Sequence, residues 1–397
     1  MVKIKIIPAQ YGDCILISIS DDTQINILID GGLMKTYNDF LCNEVHNISQ
    51  ISEKIDLLIN THIDADHING LISFLKDNNR HKYVDIGGIW YNGFEQLSTK
   101  YPGIYGKEDG NSEDKKIIDD ICNKGYEDEF NEVEQIGSSE GISFASLIDE
   151  GGYVHNQYAI TEQLHTIELS KNIRIRVIGP AFSVLEELEE EWLEEMAKKN
   201  FTFSVSKDIR LTNSFEFMIS RIKRYYECFK KKITSDDALI NYTSDLTNED
   251  SSIVNESSIS FVLEVNERKF LFLGDAVLKQ RDKCKIIKNL LAYYGEDTVF
   301  DLIKLPHHGS NYNMSIDFVK LFKAKEYIIS SNGKKFGHPD IDTLANIILF
   351  NKDVFKTLIF NYPVWQSKFL SNNEWMKKYS YEVEIGNGNS IIERSYT

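Results

Sequence analysis

The chain has 397 residues, of which 42% are hydrophobic, so it can bury one large hydrophobic core or two ordinary ones. Charged residues make up 26% of the chain and it has only 6 prolines, which argues against a disordered, collagen-like or small disulfide-stapled protein. The 44 basic and 61 acidic residues give a net charge of −17. Such an acidic surface repels nucleic acid at long range, so any contact with phosphates has to be local or assisted by metal ions.

The cysteines and the apolar runs bear on the location of the protein. Five scattered cysteines without a CxxC pair favour neither a disulfide framework nor a cysteine zinc site, and they fit a reducing compartment. The first residues lack the apolar run of a signal peptide. No stretch approaches the roughly 20 apolar residues that span a bilayer. The sequence therefore predicts a soluble, cytoplasmic protein with no membrane partner.

The first ninety residues predict β-strands with one helix-bearing crossover. Short β-branched runs, KIKII, CILISIS and INILID, are separated by turn residues. IDLLINTH (55–62) is typical of a buried strand, INGLISFLKDN has the apolar spacing of a helix, and IGGIWY (86–91) predicts the next strand. This order predicts a layered α/β fold with functional residues in the loops at strand ends.

The middle of the chain combines one clear strand with one clear helix. IRIRVIGP (173–180) alternates like a strand, and SVLEELEEEWLEEMAKK (183–199) predicts a helix. The apolar residues on one face of that helix are Leu185, Leu188, Trp192 and Met196. We expect residues 182–250 to be a helical insertion within a single domain covering 1–397, because no low-complexity linker separates it.

Strand patterns return in the second half of the chain. ISFVLEV and KFLFLGD (259–275) predict a hairpin, and DLIKLPHH (301–308) and KEYIISS (325–331) predict two further strands. Helices are predicted near 279–294 and at IDTLANIILF (341–350). Residues 341–397 are expected to be a C-terminal extension that packs on the core, with short strands and loops around Trp365 and Trp375.

The strongest chemical pattern follows the predicted strand 55–62. Four potential metal ligands, His62, Asp64, Asp66 and His67, lie within six residues. A tight loop can direct His62 and Asp64 toward one ion and Asp66 and His67 toward another. Imidazole with carboxylate suits Zn²⁺, Mn²⁺ or Fe²⁺, and the additional carboxylate shifts the preference toward harder ions such as Mn²⁺. The alternative is a polar loop whose aspartates cap the following helix.

Further potential ligands stand at other predicted strand ends or in an adjoining loop. FLGD places Asp275 after one apolar strand, LPHHGS places His307 and His308 after another, and FGHP places His338 in a Gly-Pro loop. Each has a simpler explanation by itself: Asp275 as a helix cap, the histidine pair as packed core groups, and His338 as a turn residue. Their joint occurrence in one chain favours a metal site.

With these motifs the chain resembles the metallo-β-lactamase-fold hydrolases, and among them the soluble domain of ComEC-type DNA-uptake proteins and its stand-alone relatives. The matching stretches are QYGDCILI…ILIDGG, THIDADHINGL, NESSISFVLEV, FLFLGDA, IKLPHHGSNYN and SNGKKFGHP, which occur in the family's order over about 1–92 and 251–340. The resemblance implies an αββα sandwich with helical insertions. It also implies a centre of two divalent metal ions, Zn²⁺ or Mn²⁺, at one edge.

The resemblance further implies which residues bind the ions. His62 and Asp64 would serve the first ion, Asp275 would bridge, and the second ion would take Asp66, His67 and one histidine of the 307–308 pair. The metal ligands implied in this way are His62, Asp64, Asp66, His67, Asp275 and His308.

Other residues have implied roles beside the ions. Asp66, His307 and His338 are the catalytic candidates: one histidine of the 307–308 pair binds metal while the other orients or donates a proton, and His338 is a substrate-side group or proton donor. Asp30 would hold the motif loop by hydrogen bonds. Asn255 and Ser258 would support the ligands from behind.

Two features depart from the family's pattern. Asp64 stands where the superfamily usually has histidine, and the separate third histidine is missing, with Asn255 to Ser258 near its place. Both departures favour Mn²⁺ or a labile first site. His155 and His165 lie where the resemblance is weak, and we expect both at the surface.

The implied function is metal-dependent hydrolysis of phosphodiesters, by a phosphodiesterase or nuclease that uses a metal-bound hydroxide on nucleic acid or a small phosphodiester. One alternative is hydrolysis of a cyclic nucleotide, lactone or other ester, which the charge of −17 favours somewhat. Another is a non-catalytic metal-binding member of a protein complex, whose partner docks on the insertions. The basic run 221–232 could follow a nucleic-acid strand, but a helix with a solvated basic face is the preferred interpretation.

Overall fold

The computed structural model describes residues 1–98, 112–126, 142–202, 209–221, 239–279 and 283–397. Most of the basic run 221–232 lies outside these residues. The strands are β1 (Val2–Ile6), β2 (Ile15–Ser20), β3 (Gln24–Ile29), β4 (Leu57–Ile59), β5 (Ile89–Trp90), β6 (Thr166–Ser170), β7 (Ile173–Gly179), β8 (Ser260–Val265), β9 (Arg268–Phe272), β10 (Thr298–Lys304), β11 (Phe322–Ile329), β12 (Lys356–Phe360), β13 (Tyr381–Ile385) and β14 (Ile392–Tyr396).

Helices and short helical turns connect these strands. They are α1 (Met34–Thr36), a π-helical turn (Tyr37–Leu41), α2 (Cys42–Gln50), α3 (Ala65–His81), α4 (Phe94–Ser98), α5 (Ser112–Cys122), α6 (Phe144–Gly151), α7 (Phe182–Lys198), α8 (Ile209–Ile219), α9 (Ile253–Glu256), α10 (Lys285–Tyr294), α11 (Ile316–Leu321), α12 (Ile341–Phe350), α13 (Trp365–Leu370) and α14 (Asn373–Tyr379). Within the described ranges, none of these helices is long and apolar enough to cross a membrane.

The strands form two sheets. The first has the order β14-β1-β2-β3-β4-β5, and the second has the order β13-β12-β11-β10-β9-β8-β7-β6. Strands β3, β4 and β5 run parallel, as do β9 to β13 in the second sheet. Parallel strands finish at the same edge of a sheet. The loops after β3 and β4 therefore lie at one edge of the first sheet, and those after β9, β10 and β11 lie at one edge of the second.

Alternating residues of the strands divide the core into three layers. Ile17 and Ile27 of the first sheet pack against Phe261 and Leu302 of the second, in a cluster between the sheets. The intervening residues, such as Leu16, face outward into helix-covered clusters. Because side chains along a strand point to opposite faces with a period of two, apolar runs of this kind are buried on both sides. The architecture is the predicted αββα sandwich.

The first ninety residues contain two helical crossovers instead of the single one predicted. Residues 34–50 form a continuous helical segment between β3 and β4, in addition to α3 between β4 and β5. Its buried residues, Tyr37, Leu41, Val45 and Ile48, recur every three or four positions. That spacing puts them on one helical face against the first sheet.

Helices α7 and α8 extend the layer that covers the first sheet. In α7 the predicted apolar face is buried, and the Trp192 ring packs at steep angles against the rings of Phe94 and Phe215, with centroids 4.9 and 5.7 Å away. The C-terminal segment 341–397 supplies three strands: β12 and β13 at the edge of the second sheet, and β14 beside β1 in the first. Its two tryptophans lie in α13 and α14 and not in loops.

Candidate metal centre

Four residues in the loops that follow the parallel strands have a left-handed backbone conformation. Asp30, Gly274, His307 and His308 all have positive φ angles, of 54°, 53°, 44° and 57°. For a residue other than glycine this conformation costs on the order of 1–3 kcal/mol, and it persists only where the surroundings impose it. One such restraint is the hydrogen bond that the His307 amide donates to the Gly274 carbonyl at 3.1 Å.

Four imidazoles converge on one carboxylate oxygen. The distances from Oδ2 of Asp275 to the Nε2 atoms are 3.9 Å for His62, 3.5 Å for His67, 3.8 Å for His307 and 3.7 Å for His308. All five side chains are buried. These separations exceed those of ordinary hydrogen bonds, and they leave room for cations between nitrogen and oxygen.

Two further carboxylates of the sequence motif border this centre. Asp66 Oδ2 lies 3.5 Å from His308 Nε2, and Asp64 Oδ2 lies 3.5 Å from His62 Nε2. Ligand atoms of Asp66, His67 and His308 all lie within 4.8 Å of one another, as do those of His62, His67 and Asp275. The structure thus brings together all six residues that were expected to bind metal.

Asp30 orients the motif loop from behind. Its carboxylate accepts hydrogen bonds from the amide and hydroxyl of Thr61 and pairs with Nδ1 of His67, each at 2.8 Å. With Nδ1 engaged in this way, Nε2 of His67 points toward Asp275. A carboxylate behind an imidazole ligand fixes its tautomer and raises its basicity.

Two of the other histidines, His307 and His62, are also held by a hydrogen bond at Nδ1. Nδ1 of His307 contacts Asn313 Oδ1 at 2.8 Å, and Nδ1 of His62 contacts Thr61 Oγ1 at 3.0 Å. Asn313 in turn donates to Asp250 Oδ2 at 3.0 Å and to the Asp275 carbonyl at 2.9 Å. Three of the four imidazoles around Asp275 therefore have Nδ1 engaged and Nε2 directed inward.

Asn255 and Ser258 form hydrogen bonds around the centre. Asn255 donates to Asp250 Oδ2 at 2.6 Å, so it acts on His307 through Asp250, which lies 3.5 Å from His307 Nδ1. Ser258 Oγ accepts a 3.0 Å hydrogen bond from the Asp275 amide. Both residues therefore support the centre from the α9 side.

A buried pair, Asp13 and Lys304, was missed by the sequence analysis. Asp13 lies in the β1–β2 loop with Oδ1 3.6 Å from His308 Nδ1, and its other oxygen pairs with the Lys304 ammonium. Lys304 ends β10 and lies 4.0 Å from Asp275 Oδ1. A single lysine inside the apolar run DLIKLP was the available signal, because a buried ammonium needs an anionic or carbonyl partner.

The charges in the centre compensate one another. Burial raises the pKa of the Asp275 carboxyl, but the charges of His67, His308 and His307 outweigh it and hold that pKa well below its usual range. Burial lowers the pKa of His308, while Asp275 and Asp13 outweigh it and raise that pKa to about 9. Divalent cations bound to the deprotonated imidazoles would supply the positive charge that balances the carboxylates.

His338 lies at the outer side of the histidine group. Its ring centroid is 5.1 Å from that of His307, and its Nδ1 is 3.4 Å from Asp340 Oδ2. Burial lowers the pKa of His338. It is 5% exposed and is placed beside the centre, not within the group of atoms around Asp275.

The simpler explanations for these residues fit the structure less well. Asp64 is the N-cap residue of α3 but makes no side-chain capping hydrogen bond. Asp275 starts no helix, since α10 begins ten residues later at Lys285. Of the two weakly matched histidines, His165 is exposed and His155 is half-buried, and neither joins a metal-like group among the described residues.

The donor set fits divalent cations. Among the described residues, Nε2 of His67, Nε2 of His308 and Oδ1 of Asp275 are buried without a hydrogen-bond partner. Buried polar atoms are rarely left in this state, so their grouping indicates a ligand. Imidazole nitrogen combined with carboxylate oxygen is the donor chemistry of Zn²⁺ and Mn²⁺ sites.

Comparison with solved structures gives distant similarities only. Igni18, a metallo hydrolase from Ignicoccus hospitalis, aligns with a TM-score of 0.40 and 10% identity over 100% of both chains. A CmlA β-hydroxylase variant aligns at 0.38 and 10% over 100% of this chain and 54% of its own. Zn²⁺-bound PqqB from Methylobacterium extorquens aligns at 0.36 and 9% over 96% and 87%.

The comparison with curated proteins gave no match. A family model described as the metallo-beta-lactamase superfamily matches residues 7–119, which include Asp13, Asp30 and the motif from His62 to His67. Members of this superfamily are mostly metal-dependent hydrolases. Residues 7–119 therefore match the metallo-β-lactamase superfamily in sequence, and the two sheets with their helical layers are consistent with the fold of that superfamily.

Proposed function

We propose that the protein is a metal-dependent phosphodiesterase, with nuclease activity on DNA or RNA favoured. The observation that carries the proposal is the convergence of four Nε2 atoms on Asp275 Oδ2 at 3.5–3.9 Å. Two divalent ions bound there would lower the pKa of a shared water and neutralise charge on the phosphate oxygens. The anionic oxygens of a phosphodiester are themselves suitable metal ligands.

Two overlapping ligand groups fit two ions. Asp66, His67 and His308 form one group, and His62 with Asp64 forms the other, with Asp275 shared between them. His307 is also directed at Asp275, and its Nδ1 lies 3.5 Å from Asp250 Oδ2. We assign His308 to the Asp66 group and His307 to the His62 group, where it takes the place of the missing third histidine. The imidazoles of both groups suit Zn²⁺, and their carboxylates shift the preference toward Mn²⁺.

The residues around the ligands have proposed roles of their own. Asp30, Thr61 and Asn313 hold the imidazoles with Nε2 inward, so that little reorientation is needed when ions and substrate bind. His338 lies on the outer side of His307 and can donate a ring N–H to a substrate or leaving-group oxygen. The burial of the centre excludes bulk water and strengthens each of these interactions.

We further propose that the protein is related to the ComEC-like branch of the superfamily and that it is cytoplasmic. The HxDxDH motif with GD, HHGS and GHP supports a relationship to the ComEC-like proteins. The four cysteines within the described ranges form no disulfide bond, which fits the cytoplasm. A protein partner on the insertions remains part of the proposal.

Metal titration followed by an activity assay tests the proposal. Calorimetry with Mn²⁺ and Zn²⁺ should show up to two ions per chain. The Mn²⁺-loaded protein is then assayed on single- and double-stranded DNA, RNA, cyclic nucleotides and a lactone. Asp275→Asn should lose metal binding and activity together, whereas Asp22→Asn, at an exposed turn, should keep both.

The outcomes separate the candidate functions. Cleavage of a nucleic acid supports the proposal, and turnover of the cyclic nucleotide or lactone alone replaces it with small-molecule hydrolysis. Metal binding with no turnover of any substrate supports a non-catalytic metal-binding protein. If no divalent ion binds, the metal-centre assignment is wrong.

A further inference from the structure

An exposed lysine lies between two aromatic rings beside the candidate metal centre. The Lys335 ammonium is 4.7 Å from the ring centroid of Tyr11 and 4.7 Å from that of Phe336. The two rings meet edge to face, with centroids 6.3 Å apart. At these distances the ammonium is attracted to both rings. We call Tyr11, Lys335 and Phe336 the Lys335 cluster.

Main-chain contacts fix the two loops that form the Lys335 cluster. The Asn332 amide donates to the Gln10 carbonyl at 2.6 Å, and the Ser330 hydroxyl donates to the Gly12 carbonyl at 2.7 Å. These hydrogen bonds lie on both sides of Tyr11. The relative position of the rings is therefore set by the backbone and not only by side-chain packing.

The Lys335 cluster adjoins the outer histidines. The Phe336 ring centroid is 6.4 Å from that of His307 and 6.0 Å from that of His338. On its other side the cluster adjoins the start of α3, since Asp13, two residues after Tyr11, donates its amide to the Asp66 carbonyl at 3.3 Å. One cluster thus borders both a proposed metal ligand and the proposed substrate-side histidine.

The metal centre is most exposed at two of its carboxylates. The side chains of Asp64 and Asp66 are 12% and 13% exposed, whereas those of His67 and His308 are 0% and 1% exposed. Solvent therefore reaches the centre past the two aspartates. Gly12, next to Tyr11 in the chain, packs against Asp66, because a Cβ atom added at Gly12 would lie 1.8 Å from the Asp66 carbonyl oxygen.

The chemistry of the cluster matches one class of substrate. The chain has a net charge of −17, so a polyanion needs a local cation near the scissile bond. Lys335 supplies an exposed ammonium, and the half-buried Phe336 presents an aromatic ring. Aromatic rings bind nucleobases by stacking, which requires bases that are not paired in a duplex.

We propose that the Lys335 cluster binds a nucleotide next to the scissile phosphate, with Phe336 stacked on an unpaired base and Lys335 paired with a phosphate oxygen. This inference rests on the proposed function and narrows its substrate to single-stranded nucleic acid. A phosphodiester without bases would lose the stacking contact and keep only the charge contact.

A pair of matched oligomers tests the inference. One is a single-stranded oligodeoxynucleotide, and the other is an abasic phosphodiester chain of the same length and charge. The full-length Mn²⁺-loaded protein is assayed on both, with variants Phe336→Ala and Lys335→Ala. Phe355→Ala, at a 59% exposed phenylalanine elsewhere, and Lys334→Ala, at the neighbouring exposed lysine, are the matched controls.

The two variants are expected to act differently. The wild-type kcat/KM should be about tenfold higher on the oligonucleotide than on the abasic chain, since a base–aromatic stack contributes a factor of that order. Phe336→Ala should bring this ratio close to one, while Phe336→Tyr and Phe355→Ala preserve it. Lys335→Ala should lower kcat/KM on both oligomers, and Lys334→Ala should have less effect.

Binding measurements distinguish failure of this inference from failure of the proposed function. Fluorescence anisotropy with the wild type and Phe336→Ala reports on base preference without turnover. Base preference that depends on Phe336 supports nucleotide binding by the Lys335 cluster, whether or not the oligomers are cleaved. If the oligomers bind in this way and none is cleaved, the proposed hydrolysis is wrong. Equal binding and equal cleavage of both oligomers by the wild type would overturn the cluster's role and leave the proposed function intact.

Discussion

Lys304 forms an ion pair with Asp13 in the interior of the protein, directly beside the carboxylate that four histidines surround. The side chains of Lys304 and Asp13 are 2% and 3% exposed. The lysine also contacts the Gly274 carbonyl at 3.3 Å. Because a buried charge is costly without its partner, this pair couples the β1–β2 loop to the end of β10.

Removal of one member of this pair should destabilise the protein strongly. We expect Lys304→Met to lower the free energy of unfolding by about 3–5 kcal/mol, since it leaves the Asp13 carboxylate buried without its ammonium partner. The double variant with Asp13→Asn should recover a large part of that loss. Urea denaturation of the four proteins measures the coupling, and strictly additive effects would show that the pair does not interact.

An ion pair with an exposed lysine is the control for this cycle. Lys325, whose side chain is 60% exposed, lies 2.9 Å from Asp301, which keeps a second cationic partner, Arg268, at 3.0 Å. Lys325→Met should change the free energy of unfolding by at most about 1 kcal/mol, because water screens and solvates exposed charges.

Asp30 should influence metal affinity without binding metal. Asp30→Asn weakens the contact to Nδ1 of His67, and we expect the affinity for Mn²⁺ or Zn²⁺ to fall by about 10–100-fold. Asp56→Asn is the matched control, because Asp56 also accepts a backbone hydrogen bond, from Asn26 at 2.8 Å. Both variants are titrated with metal by calorimetry; an equal loss in each would mean that the effect is one of general stability.

The β1–β2 loop should tolerate no side chain at Gly12. A Cβ atom there would lie 1.8 Å from the Asp66 carbonyl oxygen, so the loop or the start of α3 must move. We expect Gly12→Ala to cost about 1–3 kcal/mol of stability and to weaken metal binding, since it displaces Asp66. At Gly88 the nearest atom to an added Cβ is 4.0 Å away, so Gly88→Ala should leave metal binding unchanged. Equal metal affinity in both variants would contradict the prediction.

The buried Lys356 should make stability depend on pH. Burial lowers its pKa from 10.5 to about 8, so the folded protein binds fewer protons than the unfolded chain between these values. Stability should therefore rise with pH from about 8 to 10.5, by up to about 3 kcal/mol for this group. Lys356→Met removes this contribution. The difference in urea stability between wild type and variant should change across that range, and a constant difference would refute the shift.

The candidate ligand motif from His62 to His67 could be recognised in the sequence because its residues are close together and follow an apolar strand. Asp275 and the histidines at 307–308 and 338 could be added since each also stands at a strand end or in the adjoining loop. Asp13 and Lys304 could not be paired, because a lone charge in an apolar run does not identify its partner. The helical segment 34–50 was missed although Tyr37, Leu41, Val45 and Ile48 had the spacing of a helix.

The sequence by itself indicated the main strands and the positions of the ligand-rich loops, because periodicity and strand-end motifs are local properties of the chain. Only the tertiary structure decided that His307 and His308 both face Asp275, and that His308 also faces Asp66 and Asp13. Their left-handed backbone and the packing of two sheets set those directions. Such directions depend on contacts between distant segments, which no local pattern specifies.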